Sequence, residues 1–359
     1  MSDLEQLRDQ IDQIDNQLVA LLNERARIVV EVGEIKRQDK SAPPIYAPDR
    51  EFRVLEKVRA ANKGPLPDRT LLAIYRELMS GSFYLERPLR IAYLGPEGSF
   101  SHTAARLKFG QSVEYEPLNS IHTVFDEIEK RHCDLGIVPV ENSIAGGIIE
   151  TLDALVDSSA LICAEVKMVI HHNLLANCAQ EEIRQVYSKP EVFTQCRNWL
   201  SSTMPDVDLV PATSSAEAAR IASERTNTAA IGSEIAADLY NLKVVCANIE
   251  DIANNVTRFL VIGSEPTRPT GCDKTSLMFS TAHKTGALVD VLQAFHREGL
   301  NLTNIESRPS KKREMEYYFF VDCQGHQDEP HVQEALKEAK RHCLQLSVLG
   351  SYPSARDSL

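Results

Sequence analysis

Apolar residues in the first quarter of the chain follow the period of an α-helix. Leucine, isoleucine and valine recur every three or four residues over positions 4–35. A helix of that length extends over about 50 Å, and a segment of about 90 residues is too small to bury such a stripe. The pattern therefore predicts one long helix that needs a partner chain or a long helical hairpin. Two shorter helices are predicted to follow, capped by Asp49 after Pro48 and by Asp68 after Pro67.

The middle of the chain alternates short apolar strands with helices. A strand at Arg90–Leu94 enters a polar, glycine-containing turn at 95–99, and a strand at 135–140 enters a second such turn at 141–147. A strand, a polar turn and a helix start can direct backbone N–H groups at an anion. The sequence contains neither a G-x-G-x-x-G nor a phosphate-loop motif, which disfavours a nicotinamide dehydrogenase and an ATPase.

The last quarter predicts a small α+β layer. Apolar strands alternate with amphipathic helices in the order βαββαβ, which is typical of a ferredoxin-like fold. The predicted strands cover 275–280, 302–305, 317–321 and 347–350, and the helices cover 286–295 and 331–342.

Composition narrows the class of protein. Hydrophobic residues make up 43% of the 359 residues and charged residues 25%, as in ordinary globular proteins. No run of 18 apolar residues occurs, so a membrane span is not expected. The first residues lack the basic start and apolar stretch of a signal peptide. Eight cysteines without C-x-x-C spacing indicate reduced, mostly buried thiols rather than a metal or redox site. We therefore expect a cytoplasmic protein without metal or cofactor.

Charge is distributed unevenly. The formal net charge is -12, which argues against a general nucleic-acid-binding protein. Stretches that look like linkers occur at 86–88 and 267–271 and predict three domains, 1–88, 89–271 and 272–359. The middle domain carries -10, and the outer two carry -1 each.

One cation interrupts the apolar stripe of the first helix. Arg25 occupies a heptad position where an apolar residue belongs, so it forms a buried ion pair or binds an anion. Arg8 and Lys36 share a heptad position beside the stripe but lie 28 residues apart, about 42 Å along a helix. One small ligand could use both only if they came from different chains. Ser82 and Glu86 share a face of the third helix.

These residues resemble those of the all-helical chorismate mutase family. The matching strings are LRDQIDQID, NERARIVVEVGEIK, PDRE and a closing S-x-x-x-E, within residues 4–86. In that family two chains intertwine. The resemblance implies Lys36 and Glu86 as catalytic residues, and chorismate bound by Arg8 of the partner subunit and by Arg25, Lys36, Arg50, Glu51, Ser82 and Glu86.

Glu86 departs from the common pattern, because the family often has glutamine there. Glutamine donates a hydrogen bond to the ether oxygen of chorismate at any pH, whereas glutamate donates only when protonated. The sequence therefore predicts that the mutase rate falls as the pH rises. An alanine, Ala47, also stands where the family often has aspartate.

The middle domain resembles prephenate dehydratase. The strings YLGPEGSFSH, GIVPVENSIAGGI, YSKPEVFTQC and N-x-TRF occur in the family's order within residues 90–263. The resemblance implies two α/β lobes around a cleft, similar to bacterial solute-binding proteins, with Thr257 as the proton donor. It also implies prephenate binding by Asn142, Ser143, Ser188, Gln195, Thr257 and Arg258. Without the resemblance, the same residues are read as helix caps, core strands and a turn.

The last domain resembles the ACT regulatory domain in its GALV and ESRP strings. The resemblance implies that L-phenylalanine binds between two such domains and inhibits the enzyme. The implied contacts are Gly286, Ala287, Leu288, Val289, Glu306, Ser307, Arg308 and Pro309. Read structurally, the domain is a dimerisation lid.

Together the resemblances cover nearly the whole chain and favour a bifunctional chorismate mutase and prephenate dehydratase. The expected assembly is a homodimer or a higher homo-oligomer whose partners are chorismate, prephenate and L-phenylalanine. The alternative from another class is a non-catalytic amino-acid-sensing protein with a helical dimerisation module. A mutase fused to prephenate dehydrogenase is disfavoured, because the dinucleotide fingerprint is absent.

Overall fold

The computed structural model describes residues 3–38, 44–310 and 316–355. The first region contains the predicted long helix, which runs unbroken for 36 residues and packs on the third helix. Its apolar stripe stays largely uncovered in the single chain, and Ile35 is 67% exposed. The helices are α1 (Asp3–Gln38), α2 (Pro48–Ala61) and α3 (Asp68–Glu86).

The predicted aspartate caps are wrong by one or two positions. Helix α2 begins at Pro48, whose fixed φ suits the first helical turn, so Asp49 lies inside the helix and pairs with Arg53. Asp68 is the first residue of α3 and accepts a hydrogen bond from Asn62. Both carboxylates still lie in the first turn, where the helix dipole favours negative charge.

The middle region forms two lobes, each built on its own sheet. The first sheet has the strand order β2-β1-β3-β11-β5, with β4 paired to β3, and the second has the order β10-β6-β9-β7-β8. The strands are β1 (Arg90–Leu94), β2 (Glu114–Leu118), β3 (Leu135–Asn142), β4 (Gly146–Gly147), β5 (Leu161–Val169), β6 (Asn173–Ala176), β7 (Gln185–Ser188), β8 (Asp208–Pro211), β9 (Thr228–Gly232), β10 (Lys243–Cys246) and β11 (Val256–Gly263). The helices are α4 (Phe100–Phe109), α5 (Ile121–Glu129), α6 (Ile149–Asp157), α7 (Pro190–Gln195), α8 (Arg197–Thr203), α9 (Ser215–Glu224) and α10 (Glu234–Leu239).

The chain passes between the lobes twice. It leaves the first lobe after β5 through residues 170–172 and returns to β11 through residues 247–255. Strand β11 then runs antiparallel between β3 and β5 in the interior of the first sheet. The last strand of the region therefore connects the interlobe crossing directly with the core of the first lobe.

The last region has the predicted βαββαβ order and a four-stranded sheet, β13-β14-β12-β15. Its helices cover one face of the sheet, and the other face packs on the first lobe, where Met278 and Phe320 join the core around Leu260. The contact is close, because a β-carbon on Gly350 would lie 2.1 Å from the Ile162 carbonyl oxygen. The elements are β12 (Asp273–Ser280), α11 (Ala287–Arg297), β13 (Leu302–Pro309), β14 (Tyr317–Gln324), α12 (Pro330–His342) and β15 (Gln345–Pro353).

The first lobe is therefore enclosed between the other two regions. One face of its sheet shares a core with the ACT-like sheet, and the opposite face packs with Tyr46 and Phe83 of the helical region. None of the described helices has the length and apolarity to cross a membrane.

Candidate active sites and regulatory face

Helices α1 and α3 bring four predicted mutase residues together. Arg25 donates a hydrogen bond from Nη1 to Ser82 Oγ at 2.7 Å, and Lys36 Nζ lies 2.9 Å from Glu86 Oε2. Ser82 in turn donates to the backbone carbonyl of Leu78 on the preceding turn. Arg25, the cation in the apolar stripe, is therefore hydrogen-bonded. Both Arg25 and Lys36 contact polar side chains of α3.

A glycine allows the two helices to approach at this point. A β-carbon on Gly33 would lie 3.3 Å from Cα of Glu86 and 3.3 Å from its Cγ. The sequence carried a signal for this contact, since a glycine inside an otherwise regular helix often marks close packing.

The other predicted chorismate contacts are distributed differently. Arg50 lines a cavity of about 1010 Å³ with Lys36 and Glu86. Glu51 lies outside that lining, where it accepts hydrogen bonds from Tyr46 Oη at 2.9 Å and from Lys108 Nζ at 2.7 Å. Arg8 is exposed near the start of α1. The single chain thus brings Lys36, Arg50 and Glu86 to one cavity and pairs Arg25 with Ser82, whereas Glu51 and Arg8 lie apart from that cavity.

Strand pairing places the predicted dehydratase donor beside an amide. Thr257 on β11 is the cross-strand partner of Asn142, the last residue of β3. Asn142 Nδ2 donates to Thr257 Oγ1 at 2.9 Å and to Asn255 Oδ1 at 2.7 Å. A carboxamide therefore holds the threonine hydroxyl from one side.

The remaining predicted prephenate contacts, Ser143, Gln195 and Ser188, differ in their surroundings. Ser143 contacts the start of β11, because its Oγ accepts from the Val256 N–H at 2.9 Å. Gln195 ends α7 of the second lobe, and its Oε1 lies 2.6 Å from His172 Nε2. Ser188 is fully buried at the end of β7, where it donates to the Ile231 carbonyl.

Arg258 does not join this group, contrary to the expectation from the sequence. Successive residues of a strand point to opposite faces, so Arg258 points away from the side that carries Thr257. Its guanidinium donates to Glu165 at 2.8 Å, to Asp322 at 2.6 Å and to Tyr352 Oη at 2.8 Å. In this structure it joins the dehydratase-like lobe to the last domain rather than lining the cleft.

The charged partners determine the ionisation of this buried cluster. Burial works to lower the pKa of Arg258, but Tyr352, Asp322 and Glu165 outweigh it and raise that pKa. Burial works to raise the pKa of Glu165, but Arg258 and Lys274 outweigh it and lower that pKa. Both groups stay charged at neutral pH.

The predicted regulatory residues separate onto two faces of the last sheet. Gly286 adopts φ +85 and precedes α11, and Val289 is half-exposed on that helix. On β13, Glu306 and Arg308 face the first lobe, and Arg308 pairs with both carboxylate oxygens of Asp153 at 3.1 Å.

The alternate residues of the ESRP string face the helix side. Ser307 and Pro309 are exposed on the same face of the sheet as Gly286, Ala287, Leu288 and Val289. Glu306 lies against Gly147, where burial and the nearby Glu141 carboxylate raise its pKa.

Known families match three consecutive parts of the chain. The family model for chorismate mutase type II matches residues 7–87, that for prephenate dehydratase matches residues 91–267, and that for the ACT domain matches residues 275–341. The bifunctional chorismate mutase/prephenate dehydratase of Aquifex aeolicus is 44% identical and covers 99% of both chains. The chain belongs to the bifunctional chorismate mutase/prephenate dehydratase family. The enzyme of the same description from Pseudomonas aeruginosa is 42% identical over 98% of both chains.

A solved structure matches about three quarters of this member of the bifunctional chorismate mutase/prephenate dehydratase family. Prephenate dehydratase of Arthrobacter aurescens, in complex with L-Phe, is 30% identical with a TM-score of 0.70. The alignment covers 74% of this chain and 90% of that chain. The family resemblances and the multidomain fold read from the sequence are confirmed.

Sequence reasoning missed four polar residues that the structure places beside the predicted ones. Asn255 and His172 adjoin Asn142 and Gln195, and Glu165 and Asp322 bind Arg258. Asn255 stood in the quoted N-x-TRF string and could have been found. The other three stand in ordinary strand or connecting sequence, and only their tertiary contacts distinguish them.

Proposed function

We propose that this chain converts chorismate to prephenate in its helical domain and prephenate to phenylpyruvate in its two-lobed domain. One observation carries the proposal. Arg25 and Lys36 of α1 bond to Ser82 and Glu86 of α3, and in the same chain the Asn142 carboxamide donates to the Thr257 hydroxyl. The two proposed reactions use these two arrangements, and a non-catalytic sensing protein needs neither. We place the domain boundaries near 88 and 271.

The first reaction is a rearrangement without a covalent intermediate. The protein has to hold chorismate in its bent conformer and stabilise negative charge on the breaking ether bond. Arg25 and Arg50 would bind the carboxylates, and Lys36 would stabilise the ether oxygen together with Glu86. Arg8 of the partner subunit would complete the site. Glu51 would bind the ring hydroxyl after its ion pair with Lys108 is broken.

The second reaction removes water and carbon dioxide from prephenate. Thr257 would give its hydroxyl proton to the ring hydroxyl, and the C–O bond then breaks to release water. The bond to the ring carboxylate breaks at the same time, releases carbon dioxide and leaves its electron pair in the aromatic ring. The dianion thus takes up one proton overall, which solvent returns to Thr257. Ser143, Ser188 and Gln195 are proposed to shape the site.

We also propose that the functional unit is a homodimer or a higher homo-oligomer in the cytoplasm. The long exposed stripe of α1 needs a cover of similar length, and an intertwined second copy supplies one. An intertwined copy would also bring Arg8 of the partner subunit to the Lys36 end of α1. Seven of the eight cysteines are buried or half-buried, as reduced structural thiols are in a reducing compartment.

L-Phenylalanine is the proposed inhibitor. The relative from Arthrobacter aurescens was solved in complex with L-Phe and matches 74% of this chain. In this chain the exposed face formed by Val289, Ser307 and Pro309 is the proposed contact with phenylalanine and a second ACT domain. Glu306 and Arg308, on the opposite face, are proposed to transmit binding to the first lobe through Gly147 and Asp153.

Incubation of the purified protein with chorismate tests the function. We expect prephenate to appear first and phenylpyruvate second, and L-phenylalanine to slow the second step. Addition of NAD is expected to produce no hydride transfer. Chorismate left unchanged, with phenylalanine still bound in a calorimetric titration, would instead support the sensing protein.

The Glu86→Gln variant is expected to flatten the pH profile of the mutase. Glutamate donates a hydrogen bond to the ether oxygen only when protonated, so wild-type turnover should fall as the pH rises, whereas the amide donates at every pH. Steady-state mutase rates over a pH series measure this, with dehydratase activity as the control. Superimposable profiles for the two proteins would refute the role of Glu86 as donor.

A further inference from the structure

Two buried polar side chains occupy the two passages between the lobes. His172 ends the outgoing passage and is 1% exposed, and Asn255 ends the returning passage and is 2% exposed. The passages are bonded to their surroundings, because the Ile170 N–H donates to the Asn255 carbonyl at 2.7 Å and the Ile249 N–H donates to the His172 carbonyl at 2.8 Å. We call the two passages, residues 170–172 and 247–255, the hinge. Both side chains are held at this hinge rather than in either lobe.

A hydrogen-bond chain connects the hinge to Thr257. His172 Nε2 lies 2.6 Å from Gln195 Oε1, and Asn255 Nδ2 approaches the same oxygen at 3.4 Å. Asn255 Oδ1 accepts from Asn142 Nδ2 at 2.7 Å, and Asn142 Nδ2 also donates to Thr257 Oγ1. Through the two hinge residues, the hydrogen bonds connect Gln195 of the second lobe with Asn142 and Thr257 of the first lobe.

Each amide in this chain has one permitted orientation. The Oδ1 atom of Asn142 accepts from the N–H groups of Ile144 and Ala145, both at 3.0 Å, so its Nδ2 must point toward Asn255 and Thr257. Asn255 then presents its oxygen to Asn142 and its nitrogen to Gln195. The Gln195 oxygen receives donors from both sides.

The direction from donor to acceptor along these hydrogen bonds determines the tautomer of His172 and the direction of the Thr257 hydroxyl. His172 carries its hydrogen on Nε2, which leaves Nδ1 as a buried acceptor without a partner among the described residues. Burial lowers the pKa of this imidazole, so it stays neutral. Thr257 Oγ1 accepts from Asn142, and its own hydrogen is thereby left to donate elsewhere.

We infer that His172 and Asn255 are positioning residues of the dehydratase: with Gln195 they hold the Asn142 carboxamide in place from the hinge side, so that Thr257 presents its hydrogen to the leaving hydroxyl. Since Gln195 belongs to the second lobe and Asn142 to the first, the chain is complete only in one relative position of the lobes. Proton donation is thereby coupled to the position of the lobes around the substrate. The inference rests on the proposed role of Thr257.

Two substitutions at His172 test the inference in the full-length protein. His172→Leu removes the Nε2 donor, and His172→Gln keeps an N–H near its position. We expect His172→Leu to lower the dehydratase kcat about 10- to 100-fold, as a misdirected catalytic group does, with the KM for prephenate changed by less than about threefold. His172→Gln should recover most of kcat. Asn255→Leu, of similar size, should reproduce the kcat loss.

His326 provides a matched control. It is a buried histidine of the last domain, bonded through Nε2 to the Thr267 carbonyl, and it takes no part in the hydrogen-bond chain described above. His326→Leu is expected to lower the melting temperature without the selective loss of dehydratase kcat, and mutase activity reports folding in every variant.

Three results would overturn the inference: an unchanged kcat in His172→Leu, a loss confined to KM, or equal losses in His172→Leu and His172→Gln. The last pattern would mean a purely structural histidine. If Thr257→Val also kept full dehydratase activity, the proposed site itself would fail. If Thr257→Val were inactive while His172→Leu was normal, only the hinge inference would fail.

Discussion

Replacement of Thr257 by valine is expected to lower the dehydratase kcat by about 10² to 10⁴, the usual contribution of a positioned proton donor. Valine has the shape of threonine and suits a central strand, so β11 should keep its pairing with β3 and β5. Mutase activity should stay unchanged, and prephenate should accumulate when chorismate is supplied. Separate assays with chorismate and with prephenate measure the two effects.

The Thr257→Ser variant is the matched control for this loss. It keeps the hydroxyl that accepts from Asn142 and should retain a substantial part of the rate. Full dehydratase activity in Thr257→Val, with normal thermal stability, would remove Thr257 from the mechanism and leave the proton donor to be found elsewhere in the cleft.

Replacement of Arg258 by methionine is expected to destabilise the protein by about 3–5 kcal/mol, the usual cost of breaking a buried ion pair from one side. The change leaves Glu165 and Asp322 buried at the contact of the first lobe with the ACT domain, with Lys274 alone to offset Glu165. Chemical denaturation, followed by a probe in each domain, should show the loss in the two domains that share the cluster. Mutase activity should persist.

Acid should narrow the difference between this variant and the wild type. Arg258 and Lys274 hold the pKa of Glu165 below its ordinary value against the effect of burial. The stabilisation is therefore present above about pH 4.3, the unfolded value, and is lost as the pH falls through the lower folded-state value. Without Arg258, ionised Glu165 stabilises the folded protein less, so the variant loses less stability than the wild type on acidification.

Arg220 offers the control for Arg258. It pairs with Glu217 and Glu224 on the surface of α9, where such pairs contribute little. Arg220→Met should leave the unfolding midpoint nearly unchanged. An Arg258→Met midpoint as high as that of Arg220→Met would show that the buried cluster does not hold the domains together.

Thr257 and Arg258 show why adjacent residues of one motif can have different tasks. On a strand they point to opposite faces, so the same short string supplies a hydroxyl to the Asn142 side and a guanidinium to the contact with the last domain. The sequence placed both at the substrate because it carried no information on which sheet packs behind β11. The ESRP string shows the same division, with Ser307 on the exposed face and Arg308 bonded to Asp153.

Periodicity and local motifs determined much of this protein from the sequence alone. The 3.6-residue stripe predicted α1 and its long apolar face, and the alternation of elements predicted an α/β middle region and the βαββαβ order of the last one. Each of these follows from local repetition along the chain. Family resemblance then named Lys36, Glu86, Asn142 and Thr257.

Only the tertiary structure decided which polar groups meet. Arg258 and Asp322 are 64 residues apart, and Asn142 and Asn255 are 113 apart. No local pattern records such pairs, because they form only when separate elements close around shared cores. Glu51 joined Lys108, and His172 joined Gln195, for the same reason: a buried polar group takes the partner that packing supplies.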